Sequence, residues 1–118
     1  GTLFSSVFDT GAVNGAGYNW LMIKGPTVAG TKVRAQFAAS ATSTPSSFSF
    51  IGPDCAASTY YYDLALPTPA ESKEIKCYSQ HNNKRYFRYK TILCSANDCV
   101  TPGTVTPQIN DVILNWSP

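Results

Sequence analysis

Short segments rich in apolar, aromatic and β-branched residues alternate with turn-forming residues along the whole chain. The alternation is clearest in residues 31–39, where Val33, Ala35 and Phe37 fall on one face and polar side chains lie between them. A period of two over this length is typical of a half-buried strand. No segment shows the 3.6-residue period of an amphipathic helix, and residues 70–76 could form a helical turn at most. The pattern therefore favours an all-β fold.

Eight segments carry the strand pattern and are separated by residues typical of turns and loops. Their bounds are residues 3–8, 18–24, 31–39, 48–51, 59–63, 74–78, 85–94 and 108–116. Strands with turn signals about every 8–12 residues are typical of antiparallel sandwiches and barrels. The chain has 118 residues and no dividing linker, so we expect one domain over residues 1–118. We predict an antiparallel two-sheet β-sandwich, jelly-roll-like, with about seven or eight strands.

Charged residues make up only 14% of the chain, against roughly 25% in ordinary soluble domains. The Lys and Arg residues are scattered, whereas a nucleic-acid binder carries them in a patch or stripe. Arg88 and Lys90 alternate with Phe87 and Tyr89, so in a strand the cations and the rings would take opposite faces. We therefore expect no nucleic-acid partner. We also expect no membrane span and no cofactor, because the chain carries neither a long apolar run nor a nucleotide-binding motif.

The four cysteines, together with the low charge and the many Ser, Thr and Tyr residues, are typical of a secreted or cell-surface chain. Three disulfide pairings are possible. Cys94 and Cys99 flank a turn-forming Asn-Asp pair, which favours a bridge between them and leaves Cys55 with Cys77. A zinc site that includes His81 is the alternative, but the paired C-x-x-C spacing of such sites is missing. We expect disulfides and no metal.

Three adjacent tyrosines, Tyr60 to Tyr62, raise the possibility of a carbohydrate-binding module. Exposed rings stack on the apolar face of pyranoses, and in a strand Tyr60 and Tyr62 would share one face. Together with Tyr18 they are the candidate platform. The alternative interpretation is that these rings pack in the core of a small β domain.

Asp9 lies in an apolar-apolar-Asp-Thr-Gly motif, the pattern with which aspartic proteases present a catalytic carboxylate. Two such aspartates share one proton, so the chain would have to act as a homodimer. The late apolar-apolar-Gly segment that these enzymes also need is missing. The simpler interpretation is a strand that ends in a turn, with Asp9 capping it and Gly11 at positive φ. We expect no enzyme and keep the protease as a remote alternative.

Five stretches of the chain, taken in order, form a familiar set: residues 6–11, 31–37, 50–54, Asn82 with 85–90, and 106–118. Together they resemble a β-sandwich module of bacterial surface proteins. The chain is especially similar to the C-terminal globular part of prepilin-type proteins from candidate-phylum bacteria. The resemblance covers nearly the whole chain, and it implies a jelly-roll-like or lectin-like sandwich at the cell surface or in a type IV pilus-like filament, without catalytic residues.

We therefore expect a non-catalytic extracellular domain of a pilin-like or other surface-appendage subunit, which serves filament assembly and adhesion. Its main partners would be copies of itself, because a charge-poor surface suits contacts between subunits. Glycans are the second expected class of partner. The first predicted strand, with Leu3, Phe4, Val7 and Phe8, is the candidate segment to be donated to the sheet edge of a neighbour.

Overall fold

Eight strands form two antiparallel sheets that pack against each other in the computed structural model, which describes residues 1–118. The predicted all-β, two-sheet sandwich is confirmed. The strands are β1 (Thr2–Phe4), β2 (Phe8–Asp9), β3 (Gly17–Lys24), β4 (Lys32–Ser40), β5 (Asp63–Leu64), β6 (Ser72–Glu74), β7 (Tyr86–Cys94) and β8 (Asp111–Ser117). The larger sheet has the order β1-β7-β4-β5, and β2 also pairs with β7. The smaller sheet has the order β6-β3-β8.

The centre of the larger sheet is the pair β4 and β7, which align from Lys32↔Cys94 to Ser40↔Tyr86. As the alternation predicts, the apolar side chains of β4 face the interior and are buried. The opposite face of β4 differs from the expectation, because Gln36 is also buried. Its Nε2 donates hydrogen bonds to the carbonyl oxygens of Ala57 (2.9 Å) and Thr59 (3.0 Å), so the 57–59 loop covers this part of the outer face.

The core lies between the two sheets. Val33 and Phe37 from β4 pack with Leu21 and Ile23 from β3, and partly buried residues of β8 pack against this cluster. Burying large apolar side chains is the main favourable term in folding. The cluster is continuous across both sheets and also includes Ala16, Tyr18, Ala35, Tyr61, Tyr62, Leu66, Ile75 and Phe87.

The predicted strand at residues 108–116 begins only at Asp111, and three others depart further from the prediction. Residues 48–51 form only a single bridge between Ile51 and Phe37, and only the end of the predicted 59–63 strand pairs, as β5. The third of these strands, predicted at residues 74–78, lies earlier in the chain as β6. β6 falls within residues 70–76, for which a helical turn is the other expectation from the sequence. It ends before Cys77, whose φ of 63° is incompatible with a strand. The chain then forms a single helical turn, α1 (Tyr78–His81). No helix of the molecule has the length and hydrophobicity of a membrane span.

Both predicted disulfides are present, and no free cysteine remains. Cys55 and Cys77 have Cα atoms 5.4 Å apart, and their bridge ties the loop after residue 52 to the segment between β6 and α1. Cys94 and Cys99, with Cα atoms 4.8 Å apart, close a short loop at the end of β7. The first bridge joins two irregular segments whose own strand pairing is sparse, so it compensates for the missing ladder bonds there.

Candidate functional site

The N-terminal edge, which we define as residues 2–9, contains the candidate assembly residues. It is not one strand but two short ones, because Ser5 interrupts the regular pairing with β7. The Ser5 hydroxyl accepts a hydrogen bond from the backbone N–H of Tyr89 (2.9 Å), and the Ser5 N–H donates to the Tyr89 carbonyl (2.9 Å). Arg88 Nε donates to the Ser5 carbonyl (3.0 Å). The whole segment is thus held in the chain's own sheet.

This pairing corrects the prediction of a donated strand. Leu3 and Phe4 lie in β1 and Phe8 in β2, and both strands already pair with β7, while Val7 is half-buried between them. A segment whose inner side is already bonded cannot leave for a neighbour without breaking its own ladder. The segment retains a different property: the outer side of β1 has no partner strand, and its large apolar side chains are exposed.

Leu3 and Phe8 point to the inner side of the larger sheet, since they stand opposite the buried Thr91 and Phe87. They are nevertheless 58% and 40% exposed, because the smaller sheet does not cover them. The Phe8 ring stacks on Phe87, with ring centres 5.0 Å apart, and lies 6.2 Å from the ring of Tyr89. Leu3 borders a groove of about 300 Å³ that β1 and β7 share with residues 109–112.

Phe4 points to the opposite, outer side and forms an aromatic cluster with cations. Its ring lies 5.3 Å from that of Phe50, and the Arg88 guanidinium lies 5.8 Å from Phe4 and 5.3 Å from Phe50. Lys90 Nζ lies 5.4 Å from the Phe4 ring. One face therefore does combine cations with rings, contrary to the sequence prediction. The strand pattern of β7 was interpreted correctly, but the rings come from neighbouring segments; the alternation of Phe48 and Phe50 was the available signal.

The three tyrosines proposed as a sugar platform do not form one. Tyr18 and Tyr62 are buried in the core, and burial raises the pKa of both hydroxyls. The Tyr18 hydroxyl donates to the Lys84 carbonyl (2.8 Å), and that of Tyr62 donates to the Glu71 carbonyl. Only Tyr60 is partly exposed, and its ring is covered by the Arg34 guanidinium at 4.7 Å. The regular strand that would have put Tyr60 and Tyr62 on one face is not formed.

Asp9 has the geometry of a turn cap. Its two carboxylate oxygens accept hydrogen bonds from Arg85 Nε (2.8 Å) and Nη2 (2.9 Å), and Oδ1 also accepts one from the Gly11 N–H (2.8 Å). Gly11 has a φ of 75°, as the turn interpretation requires. The Arg85 hydrogen bond, followed by the Gly11 N–H, lowers the pKa of Asp9. A protease dyad needs a carboxyl that keeps a proton, so the arrangement around Asp9 supports the turn and not the protease.

The alternative zinc site would need cysteine thiolates as ligands. All four cysteines are in disulfides, so none is available to bind a metal ion. No group of three or more His, Cys, Asp or Glu side chains lies close enough together to hold a metal ion.

Comparison with protein-family models found no match to this chain, and neither did comparisons with curated proteins and with solved structures. The resemblance to prepilin-type proteins therefore stays a prediction.

Proposed function

We propose that this chain is a non-catalytic β-sandwich domain of a pilin-like or other surface-appendage subunit, and that it associates with copies of itself through side chains of the N-terminal edge. The observation that carries the proposal is the clustering of exposed apolar side chains there. Scattered exposed apolar residues are normal on a soluble protein, whereas contiguous ones mark interaction sites. On one side of the sheet Phe4 contacts the partly exposed Phe50, and on the other Phe8 stacks on the buried Phe87 and the partly exposed Tyr89. Each exposed ring of this edge therefore adjoins one further partly exposed ring.

The mode of association differs from the strand donation expected from the sequence. With the N-terminal edge bonded to β7, the contact would rest on Leu3, Phe4 and Phe8 packing against a second copy. Both surfaces of the edge take part, because Leu3 and Phe8 face one side of the sheet and Phe4 faces the other. The cations beside Phe4 would favour a partner surface with carboxylates or carbonyl groups nearby.

Two disulfides are consistent with a secreted or extracellular protein. Placement on a cell surface or in a filament goes further and is part of the proposal. It is supported by the sparse charge of the chain, since depletion of charged residues is typical of the centres of protein interfaces.

The test compares two exposed leucines at opposite edges of the same sheet. Leu3 is 58% exposed in β1, and Leu64 is 73% exposed in β5. Sedimentation equilibrium over a range of protein concentrations, with negative-stain microscopy of the same samples, should show association of the wild type. We expect Leu3→Ser to weaken it and Leu64→Ser to leave it unchanged. A wild type that stays monomeric at every concentration, or equal effects of both variants, would overturn the proposal.

A further inference from the structure

A cavity of about 370 Å³ opens at the end of β4, and no residue of the N-terminal edge lines it. It lies between the loop that follows β4 and the segment of α1. Eight of its eleven lining residues are polar, and none is acidic. The lining residues are Ala39, Ser40, Ala41, Thr42, Ser47, Ser49, Ile51, Ser79, Gln80, His81 and Lys84.

The burial of these residues gives the cavity a floor and two walls. Ser40, Ile51 and His81 are buried and form the floor. Ser49 is exposed on one wall and Gln80 on the other, so both can contact a molecule that enters from solvent.

The floor is preorganised on one side by a hydroxyl network. Ser40 and Ser47 have their hydroxyl oxygens 2.7 Å apart, and Ser47 donates to the Thr44 carbonyl (2.6 Å). The backbone N–H of Thr42 donates to the Ser40 hydroxyl (3.1 Å). These hydrogen bonds fix the loop after β4, which forms one side of the cavity. A side that is already ordered lowers the entropy cost of binding a ligand.

His81 carries an unmet hydrogen-bonding capacity in the same floor. The side chain is only 2% exposed, its ring packs edge-on against Phe37 with centres 4.8 Å apart, and no protein group bonds to Nδ1 or Nε2. Burial lowers the pKa of His81 to about 4, so at neutral pH the ring is uncharged and offers one donor and one acceptor. Neither ring nitrogen is accessible to solvent, so the His81 ring closes the floor of the cavity and is not itself a contact for a ligand.

Lys84 provides the charge. It is half-buried at the cavity, none of the salt bridges of the molecule includes it, and no carboxylate lines the cavity to compete for it. An ammonium group among neutral hydroxyl and amide groups favours a ligand with one negative charge and several hydroxyl groups.

We propose that this cavity binds a small acidic saccharide, with its carboxylate at Lys84 and its hydroxyl groups on the exposed Ser49 and Gln80. The volume is at the lower end of the range of small-molecule sites, roughly 300–1,000 Å³, and so suits one or two sugar rings. The site is separate from the three tyrosines considered above, and it does not depend on association through the N-terminal edge. Sequence reasoning missed it because His81 and Lys84 lie in a turn, where exposed side chains are the usual expectation.

The first experiment is a titration of the intact, disulfide-bonded protein followed by ¹H–¹⁵N correlation NMR. The probes are glucuronate, glucose, acetate and inorganic phosphate. We expect glucuronate to shift the amide resonances of Ser49, Gln80 and Lys84 in a saturable way, with an affinity at least about tenfold above that of the other probes. Equal binding of glucose would overturn the role of the charge, and equal binding of phosphate would overturn the saccharide. No saturable shift near the cavity would overturn the site itself.

Two substitutions with a matched control sharpen the result. Lys84→Gln removes the charge and should weaken glucuronate binding by about tenfold. Lys24→Gln changes the same residue type at an exposed position in β3 and should leave the affinity unchanged. Ser79→Tyr places a ring on the exposed wall of the cavity and should abolish binding while the core resonances stay in place. Binding that survives both Lys84→Gln and Ser79→Tyr would place the ligand elsewhere and overturn the proposal.

Discussion

Aromatic rings serve different purposes in two regions of this sandwich. In the covered region, between β3 and β4, Phe37 packs against Tyr18, Phe87 and His81 and is fully buried. At the N-terminal edge, Phe4 and Phe8 make similar ring contacts and yet stay 49% and 40% exposed. The difference shows that ring contacts alone do not define a core here; the second sheet does, by removing water from one set of rings and not from the other.

The largest effect is expected from truncating the covered ring. Phe37→Ala removes a fully buried ring from the centre of the core, and such changes cost about 3–5 kcal/mol in the free energy of unfolding. Urea denaturation measures this loss directly. A loss below about 1 kcal/mol would mean that the two sheets do not pack as described.

The two disulfides should differ in the stability they provide. On the chain-entropy model, the bridge between Cys55 and Cys77, 22 residues apart, contributes roughly 3 kcal/mol, and the bridge between Cys94 and Cys99, five residues apart, roughly 2 kcal/mol. Replacing each pair with serine and measuring urea denaturation gives the two values. The reverse order would show that the short loop restrains the native state by more than chain entropy.

A pH dependence should arise in the covered region from His81. Its pKa is lowered by burial from 6.5 to about 4, so between these values the unfolded chain binds a proton that the folded chain does not. The contribution of neutral His81 to the free energy of unfolding is therefore at its full value above pH 6.5. It falls as the pH decreases toward 4, by at most roughly 3 kcal/mol. Asp9, Asp54, Asp63 and Asp98 have lowered pKa values, so their contribution to stability is lost mainly below this window and only begins to fall at its acid end.

Urea denaturation at pH 7, 5.5 and 4.5 measures the effect, and His81→Gln is the control that should remove most of it. Lys84 is the other ionisable side chain that lines the cavity. A wild type whose stability is flat over this window would show that His81 can become protonated without leaving its buried position.

The smallest change in stability is expected at the edge. Phe8→Ser removes a ring that is already 40% exposed, and we expect it to cost only about 1 kcal/mol in the free energy of unfolding. The same variant should weaken self-association by more than it weakens folding, as measured by sedimentation equilibrium. If Phe8→Ser destabilises the monomer as much as Phe37→Ala, the edge belongs to the core and the contrast between the two regions fails.

The strands that were predicted best from the sequence are the central ones, which have one side against the other sheet. We located β3, β4 and β7 to within a residue because apolar side chains that face the other sheet alternate with more polar ones along most of each strand, which gives the sequence a period of two. The segments at 48–51 and 59–63 resemble strands in composition, but they mainly cover other elements. The 57–59 loop bonds to Gln36 in place of a partner strand, and no local pattern records such a contact.

The candidate sites were harder to predict from the sequence, because their residues come together only through the order of strands in the sheets. Alternation along β7 told which side Arg88 takes, but not that Phe4 and Phe50 would lie beside it, since that depends on the order of strands in the sheet. Burial of His81 depends in the same way on α1 packing over the end of β4. The pairing of Cys94 with Cys99 was predictable because two cysteines five positions apart are brought together by local turn geometry.

The interruption of pairing at Ser5 has a consequence for how copies of this protein could meet. It divides the N-terminal edge into pieces of three and two residues, so no long row of unpaired backbone groups is presented to a neighbour. Short edges are poor templates for open-ended growth of a sheet. In the proposed association, the rings would hold neighbouring copies while the short strands would resist fusion into a continuous β-structure, so that the assembly would stay reversible.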